Sequence, residues 1–261
     1  MIDKDYLEHK VFGQLTEYSK FYNSLALSVS RWEAQGTKSF ITIDTYVYSS
    51  IKGTLKSIND ILFKGRINDA YALLRKFYDA TIINLYSNLY LSDNFSIDNF
   101  IVEKINNWRK GTEKLPDYAV MSKYIKESPK LASITNLLHQ DKTYKDIRER
   151  CNDHMHYNYY LNLLLNDSET YLADKRHKSL NTFSKDLEDI FIQHLTYLFY
   201  LNEHYMSSFD YTDSLEMGTT PVEGSQYFVA PFVQEIFDKV IKPKRPEIAA
   251  EIKMKTSMTL T

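Results

Sequence analysis

The chain has 261 residues, of which 25% are charged, with a net charge of −2 and a single cysteine. This length suffices for one large domain or two small ones. The near-neutral balance gives no overall basic character, so any contact with RNA must come from a local cluster. The lone Cys151 excludes an intramolecular disulfide and a zinc site built from four cysteines of one chain.

Glycine and proline are scarce, at 7 and 6 residues, whereas tyrosine and phenylalanine number 21 and 14. Turn-rich β folds need more glycine and proline, so the composition favours long helices. Tyrosine suits half-buried helix faces because its ring packs while its hydroxyl stays in contact with water. We therefore predict an all-α fold.

The N-terminus and the longest uncharged stretches bear on the cellular location of the protein and on its contact with membranes. The first ten residues carry charge from Asp3 onward and lack the apolar core of a signal peptide. The uncharged stretches after Asp79 and Asp189 reach about 13 residues each, and a membrane span needs ~20 apolar residues. A single cysteine fits a reducing compartment. These features predict a cytoplasmic protein without membrane contact.

Helical periodicity in the first half of the chain predicts a helical hairpin. Residues 3–33 predict one or two helices, and Gly36 to Ser39 predicts a break. Gly65 would end the next helix as a C-cap, and Asn68 or Asp69 would cap the one after it. The apolar stripes of these two helices are Tyr46, Ile51, Leu55, Ile58 and Leu62, and then Ala70, Leu73, Leu74, Phe77, Ala80, Thr81 and Leu85. The short turn between them predicts an antiparallel pair.

Arg75 interrupts the apolar stripe of the second of these helices. One interpretation, which we favour, is a surface arginine whose aliphatic stem lies along the apolar face while its charge reaches solvent. The other interpretation is a buried arginine that holds a polar site together.

The middle of the chain predicts shorter helices followed by a long one. Short helices are expected near 97–110, 117–127 and 129–139, where turn-forming residues separate the apolar segments. Residues 143–166 predict one continuous long helix. The charged residues 174–178 predict a linker after it.

Ser179 or Asn181 would begin the next long helix, which has a regular apolar stripe. The stripe consists of Phe183, Leu187, Ile190, Phe191, Leu195, Leu198 and Leu201. A polar loop at 208–225 follows, and then an amphipathic segment at 228–241 and a last short helix at 247–255.

These elements predict three consecutive parts. They are an N-terminal helical extension over 1–37, a helical bundle over 38–207, and a polar loop with short C-terminal helices packing on the bundle over 208–261. The sequence contains no Gly-rich phosphate loop, dinucleotide fingerprint or His-Glu-x-x-His motif. We therefore predict neither a cofactor nor a metal ion.

The candidate chemistry is concentrated in residues 148–156, which hold two arginines, two histidines, an asparagine and an aspartate. Successive residues of a helix are about 100° apart, which sorts these side chains into two stripes. The stripes are Arg148, Asn152 and His156, and beside them Arg150 and His154, with Asp153 at i+3 from Arg150. Arg150 and His156 do not share a face of an ideal helix. They converge only if the helix begins or bends within the motif, or if a second copy packs against it.

Arginine and histidine together suffice for metal-free cleavage of RNA. Histidine titrates near neutrality and serves as acid or base, and the forked donors of arginine match phosphate geometry. A base that deprotonates the 2′-hydroxyl lets it attack its own phosphate, while arginine stabilises the developing charge. DNA lacks the 2′-hydroxyl, so this chemistry requires RNA.

The cluster has three other interpretations. The first is a solvated helix face without a chemical role. The second is a metal site of Asp153, His154 and His156, although the two histidines point to different faces of an unbroken helix. The third is Cys151 as a nucleophile, against which stands the usual behaviour of a buried free cysteine as a small hydrophobe.

The pattern Arg150-x-Asn152-x-x-x-His156 resembles the Arg-x(4–6)-His motif of HEPN domains, in which a polar residue often follows the arginine closely. Residues 65–79 resemble the helix that precedes the motif in related bacterial proteins, and residues 229–234 have a vaguer similarity to their tail. The resemblance covers about residues 40–205.

The resemblance implies an HEPN-like helical bundle, with additional helices at both ends of the chain, that dimerises through its motif helices. It also implies that Arg150 binds the scissile phosphate, that His156 is the acid or base, and that Asn152 assists them. The pair Arg148/His154 has the same spacing, so the register has an alternative. Arg148, His154, Asp153 and Arg75 are possible supporting residues.

The leading hypothesis is thus a metal-independent endoribonuclease, a toxin or antiphage effector acting on RNA as a homodimer, with an antitoxin or regulatory protein as a further partner. The alternative is a non-catalytic helical module that binds nucleotide, RNA or a protein. A third reading is a helical metal-dependent phosphohydrolase, which would hold one ion per chain.

Overall fold

The computed structural model describes residues 2–33, 41–96, 99, 101–167 and 173–261. Within these ranges the chain forms helices joined by short turns, with two isolated bridges and no β-strand, which confirms the predicted all-α fold. The helices are α1 (Lys4–Leu7), α2 (Lys10–Glu33), α3 (Ile41–Phe63), α4 (Ile67–Asn94), α5 (Glu103–Arg109), α6 (Tyr118–Glu127), α7 (Ala132–Leu138), α8 (Thr143–Met155), α9 (Tyr160–Leu164), α10 (Ala173–Leu201), α11 (Asp210–Glu216), α12 (Pro231–Ile236), α13 (Lys242–Lys244) and α14 (Pro246–Lys255).

The chain divides into two compact units, and each unit consists of two separate stretches of sequence. The first unit comprises residues 1–84 and 141–191, and the second comprises 85–140 and 192–261. The consecutive division at 37 and 207 expected from the sequence stays a prediction. The break expected at 36–39 lies outside the described residues.

In the first unit, the long helices bury the apolar stripes that the sequence predicted. Ile51, Leu55, Ile58 and Leu62 of α3 are completely buried, whereas Tyr46 lies exposed on the other side of that helix. Aromatic rings of α2 pack against α4 and α10: Tyr18 stacks on Phe191 with ring centroids 3.8 Å apart, and Tyr22 meets Phe77 edge to face. Such burial is the main stabilising contribution to a helical bundle.

Gly65 ends α3 as predicted. Its φ of 77° is left-handed, and its N–H donates to the carbonyl of Leu62, while the N–H of Arg66 donates to the carbonyl of Ile61. These two hydrogen bonds define a Schellman motif, in which glycine takes the left-handed position without steric cost. The turn leads directly into α4, so the predicted succession of two helices around Gly65 is confirmed.

Two helix predictions in the first unit were wrong at their ends. Residues 143–166 do not form one helix, because α8 ends at Met155 and α9 begins at Tyr160. The charged residues 174–178 are not a linker, because α10 already begins at Ala173. In both places apolar periodicity did not reveal where the backbone hydrogen-bond ladder starts or stops, which capping contacts decide.

In the second unit, α5, α6 and α7 lie within the three regions predicted to hold short helices. The loop predicted at 208–225 contains α11, and a π-helical turn at Phe237–Ile241 joins α12 to α13. Buried polar contacts include the hydroxyls of Thr135 and Tyr197, 3.1 Å apart. Among the described residues, none of the helices combines the length and apolar character needed to cross a membrane.

Candidate functional site

The candidate residues lie on α8, a helix of the first unit with one buried face. Tyr144, Ile147, Cys151 and His154 form that face at helical spacing. Side chains of α4 and α10 meet the polar residues beside it. The surroundings of each arginine and histidine therefore follow from which stripe of α8 it occupies.

Arg150 forms a bidentate ion pair with Asp186 of α10. Its Nε lies 2.7 Å from one carboxylate oxygen and its Nη2 lies 2.8 Å from the other. The side chain of Asp186 is only 1% exposed, whereas that of Arg150 is 36% exposed. A guanidinium has five N–H donors, so a pair that uses two of them leaves three for another ligand. The carboxylate holds the plane of the guanidinium in one orientation.

The pKa of each partner reflects this arrangement. Burial raises the pKa of Asp186, and the hydrogen bonds from Arg150 oppose that rise. The hydrogen bond to Asp186 raises the pKa of Arg150, which stays charged. The charge on Arg150 is thus what permits a carboxylate to be buried at this point of α10.

Arg148 and Arg75 share a second carboxylate, that of Asp79 on α4. Nη1 of Arg148 lies 2.5 Å from one oxygen of Asp79, and Nε of Arg75 lies 3.1 Å from the other. Both arginine side chains are largely buried. Arg75 is therefore part of a partly buried polar network, which is closer to the interpretation that the sequence did not favour.

His154 is buried, with 7% of its surface exposed. Its ring stacks on Tyr71 with centroids 3.9 Å apart, and its Nδ1 lies 2.9 Å from the amide oxygen of Asn68. Burial lowers the pKa of His154 to about 4, although the nearby Asp153 opposes the shift. The imidazole is therefore neutral at pH 7 and enclosed by protein, so the Arg148/His154 pair offers no accessible acid or base.

The low pKa of His154 predicts a loss of stability in mild acid. The unfolded chain binds a proton near pH 6.5 and the folded chain only near pH 4, so the free energy of unfolding falls as the pH drops through this window. We expect His154 to account for about 3 kcal/mol of that fall. Urea unfolding at pH 7 and pH 4.5 should show a smaller fall for His154→Gln than for the wild-type protein. His156→Gln, which removes an exposed histidine at the end of the same helix, is the matched control.

Cys151 is completely buried on the inner face of α8. Burial raises the pKa of its thiol to about 12, and the nearby carboxylate of Asp186 adds to the shift. Only the thiolate is nucleophilic. Cys151 is consequently a packing residue at neutral pH rather than a nucleophile.

His156 is exposed, and it occupies the position that ends α8, where its N–H donates to the carbonyl of Asn152. The side chain of Asn152 is half-buried one turn earlier. Asp153 stabilises the following turn, because its carboxylate accepts a hydrogen bond from Asn158 and its carbonyl accepts one from Asn162. Among the described residues, no three His, Cys, Asp or Glu side chains gather as metal ligands.

Comparison with known protein families, with curated proteins and with solved structures finds no match to this chain.

The structure brings Arg150 and His154 to one side of α8, where Tyr71 links their surroundings: its ring contacts His154, and its hydroxyl lies 3.5 Å from Asp186. It leaves His156 outside this group, in solvent. Asp186 and Asp79 were not among the residues singled out from the sequence. Asp186 carried a signal, since it lies within the apolar stripe of α10 next to Leu187, where an unpaired charge is costly.

Proposed function

We propose that the chain is a metal-independent endoribonuclease of the HEPN type that acts as a homodimer. In this function His156 takes a proton from the ribose 2′-hydroxyl, whose oxygen attacks the adjacent phosphorus. The bond from phosphorus to the 5′-oxygen breaks, and that oxygen receives a proton. The products are a 2′,3′-cyclic phosphate and a 5′-hydroxyl, and Arg150 stabilises the negative charge that develops on the phosphate.

The ion pair of Arg150 with Asp186 is the observation that carries the proposal. A buried carboxylate orients a guanidinium that remains one-third exposed, which is the arrangement expected of a phosphate-binding arginine. The same helix ends at His156 and leaves its imidazole exposed to an incoming substrate.

A dimer is part of the proposal because of the geometry of a single helix. His156 lies six positions after Arg150, which corresponds to about 9 Å along a helix axis and side-chain directions about 120° apart. One copy of α8 is therefore poorly shaped to surround a phosphate with both groups. A two-fold axis brings the histidine of one copy opposite the arginine of the other.

Purified protein incubated with total RNA in the presence of EDTA should produce fragments that end in 2′,3′-cyclic phosphate. Cyclic ends are expected because the attacking oxygen belongs to the RNA itself. End-group labelling of the fragments checks this chemistry, and a single-stranded DNA in the same incubation is the control. Cleavage of the DNA, or cleavage that EDTA abolishes, would contradict the proposal.

A non-catalytic module that binds RNA, nucleotide or a protein such as an antitoxin is the second candidate. One observation favours it: Arg148 and Arg150 both pair with carboxylates of their own chain, as arginines in a structural network do. In that case RNA would bind without being cut in the same incubation.

A further inference from the structure

The turn that follows His156 and the first residue of α9 expose three tyrosine rings. Tyr157, Tyr159 and Tyr160 are 43%, 61% and 75% exposed, and they lie within four consecutive residues. Rings of this size are usually at least half covered in a folded chain. Solvent-facing aromatic rings in such density mark a surface that binds something.

The backbone of this turn is strained at Tyr157. It is the one non-glycine residue with a positive φ in the described part of the chain, at 51°. Its N–H donates to the carbonyl of His154, and the N–H of Asn158 donates to the carbonyl of Asp153. These are the two hydrogen bonds of a Schellman motif, with Tyr157 at the left-handed position.

Other helices of this chain end in the same way with glycine. Gly65, Gly111 and Gly218 occupy the left-handed position after α3, α5 and α11, with the same pair of hydrogen bonds. A side chain at that position costs roughly 1–2 kcal/mol. A bulky ring kept where glycine suffices elsewhere suggests that the ring serves a purpose other than stability.

We propose that Tyr157, Tyr159 and Tyr160 form a stacking surface for the unpaired bases of single-stranded RNA. The inference rests on the proposed function, because it assigns the substrate of the same site. Every base has a flat face, so stacking on tyrosine tolerates any sequence. Bases inside a duplex are already stacked, so the surface selects single-stranded segments and loops.

Charge and position favour RNA over an apolar partner. His156 lies directly before the tyrosines, and Arg150, which lies six positions before His156 on α8, presents its remaining N–H donors. The charged guanidinium of Arg150 can thus meet a backbone phosphate while the bases stack on the rings, which is the combination found in single-strand binding grooves. Each ring also carries a hydroxyl that tolerates water.

Equilibrium binding of a fluorescent 12-nucleotide RNA tests the surface without requiring cleavage. We expect the wild-type protein to bind the single strand at least ~10-fold more tightly than a duplex of the same sequence. Tyr160→Ala should weaken single-strand binding by about 5-fold or more. Tyr46→Ala, which removes an equally exposed tyrosine of α3, should not change it.

Tyr157→Gly is the sharpest variant, because stability and binding should change in opposite directions. Glycine relieves the strain of the left-handed position, so the melting temperature should stay the same or rise by up to about 4 °C. RNA binding should weaken by about 5-fold or more. A melting temperature lowered by several degrees would show that the ring supports the fold and would overturn the inference.

The two proposals fail in different ways. Single-strand binding that depends on the tyrosines, in a protein that cuts no RNA, leaves the stacking surface intact and removes the nuclease. Cleavage that survives all three tyrosine substitutions with unchanged RNA affinity removes the stacking surface alone. Tyr160→Ala could also convert a wild-type dimer to monomers without loss of RNA affinity per chain. This result would show that the surface binds a second copy of the chain, and it would overturn the inference.

Discussion

His156→Gln is expected to cleave RNA at least about 100-fold more slowly than the wild-type protein, which is the usual loss when a positioned acid or base is removed. Its free energy of unfolding should change by less than about 1 kcal/mol, because the imidazole is exposed and the cap at this position uses the backbone N–H. Cleavage rates on one labelled RNA, together with urea unfolding curves, measure both quantities.

His177→Gln is the matched control, since it removes a partly exposed histidine from α10 in the same unit. Its cleavage rate should equal that of the wild-type protein. A His156→Gln variant that cuts RNA at the wild-type rate would remove His156 from the mechanism.

Arg150→Ala is expected to lower the free energy of unfolding by about 3 kcal/mol at pH 7, because it leaves the carboxylate of Asp186 buried and unpaired. Removal of the arginine also removes the hydrogen bonds that oppose the upward shift of the Asp186 pKa. In the variant, the folded chain therefore binds a proton more readily than the unfolded chain. The deficit should shrink as the pH falls from 7 toward 5. Arg109→Ala, an exposed arginine of α5, should change stability by less than about 0.5 kcal/mol.

Loss of cleavage in Arg150→Ala alone would be ambiguous because of this instability. The double variant Arg150→Met/Asp186→Leu removes both charges and keeps similar volumes, so most of the stability should return. It should nevertheless cleave RNA at least about 100-fold more slowly, because the phosphate has lost its guanidinium. A stable double variant with wild-type cleavage would limit Arg150 to a structural role.

Mixing the two inactive proteins distinguishes a site shared by two subunits from a site within one. If the arginine of one copy serves the histidine of the other, a heterodimer of His156→Gln with Arg150→Met/Asp186→Leu contains one intact site. Random exchange makes half of the dimers mixed, so cleavage should return to about a quarter of the wild-type rate. No recovery after exchange, in dimers shown by mass to have mixed, would contradict the shared site.

The apolar stripes of α3, α4 and α10 could be predicted because burial repeats with the period of a helix. The termini of α8 and α10 could not. Residues 156–159 contain neither glycine nor proline. Helix α8 ends with a pair of backbone hydrogen bonds around Tyr157, which has a left-handed backbone conformation. No helix-breaking residue in the sequence indicates this end of the helix.

The different surroundings of His154 and His156 could be predicted only in part from the sequence. Helical spacing placed His154 beside Arg150 and apart from His156, and it indicated that His154 and His156 face different ways. It did not indicate that Tyr71 and Asn68 enclose His154 and keep it neutral. Those partners belong to α4, more than 80 residues earlier, and their approach is a property of the packed unit.

The sequence alone determined that this chain is helical, which faces of its long helices are apolar, and that two arginines and two histidines are clustered in residues 148–156. Composition and short-range periodicity carry this information because a helix repeats every 3.6 residues. Only the tertiary structure decided which of those side chains are accessible. Asp186 and Asp79, which belong to other helices, form ion pairs with Arg150 and Arg148. The neighbouring elements bury His154 and keep it neutral, whereas His156 remains exposed to solvent.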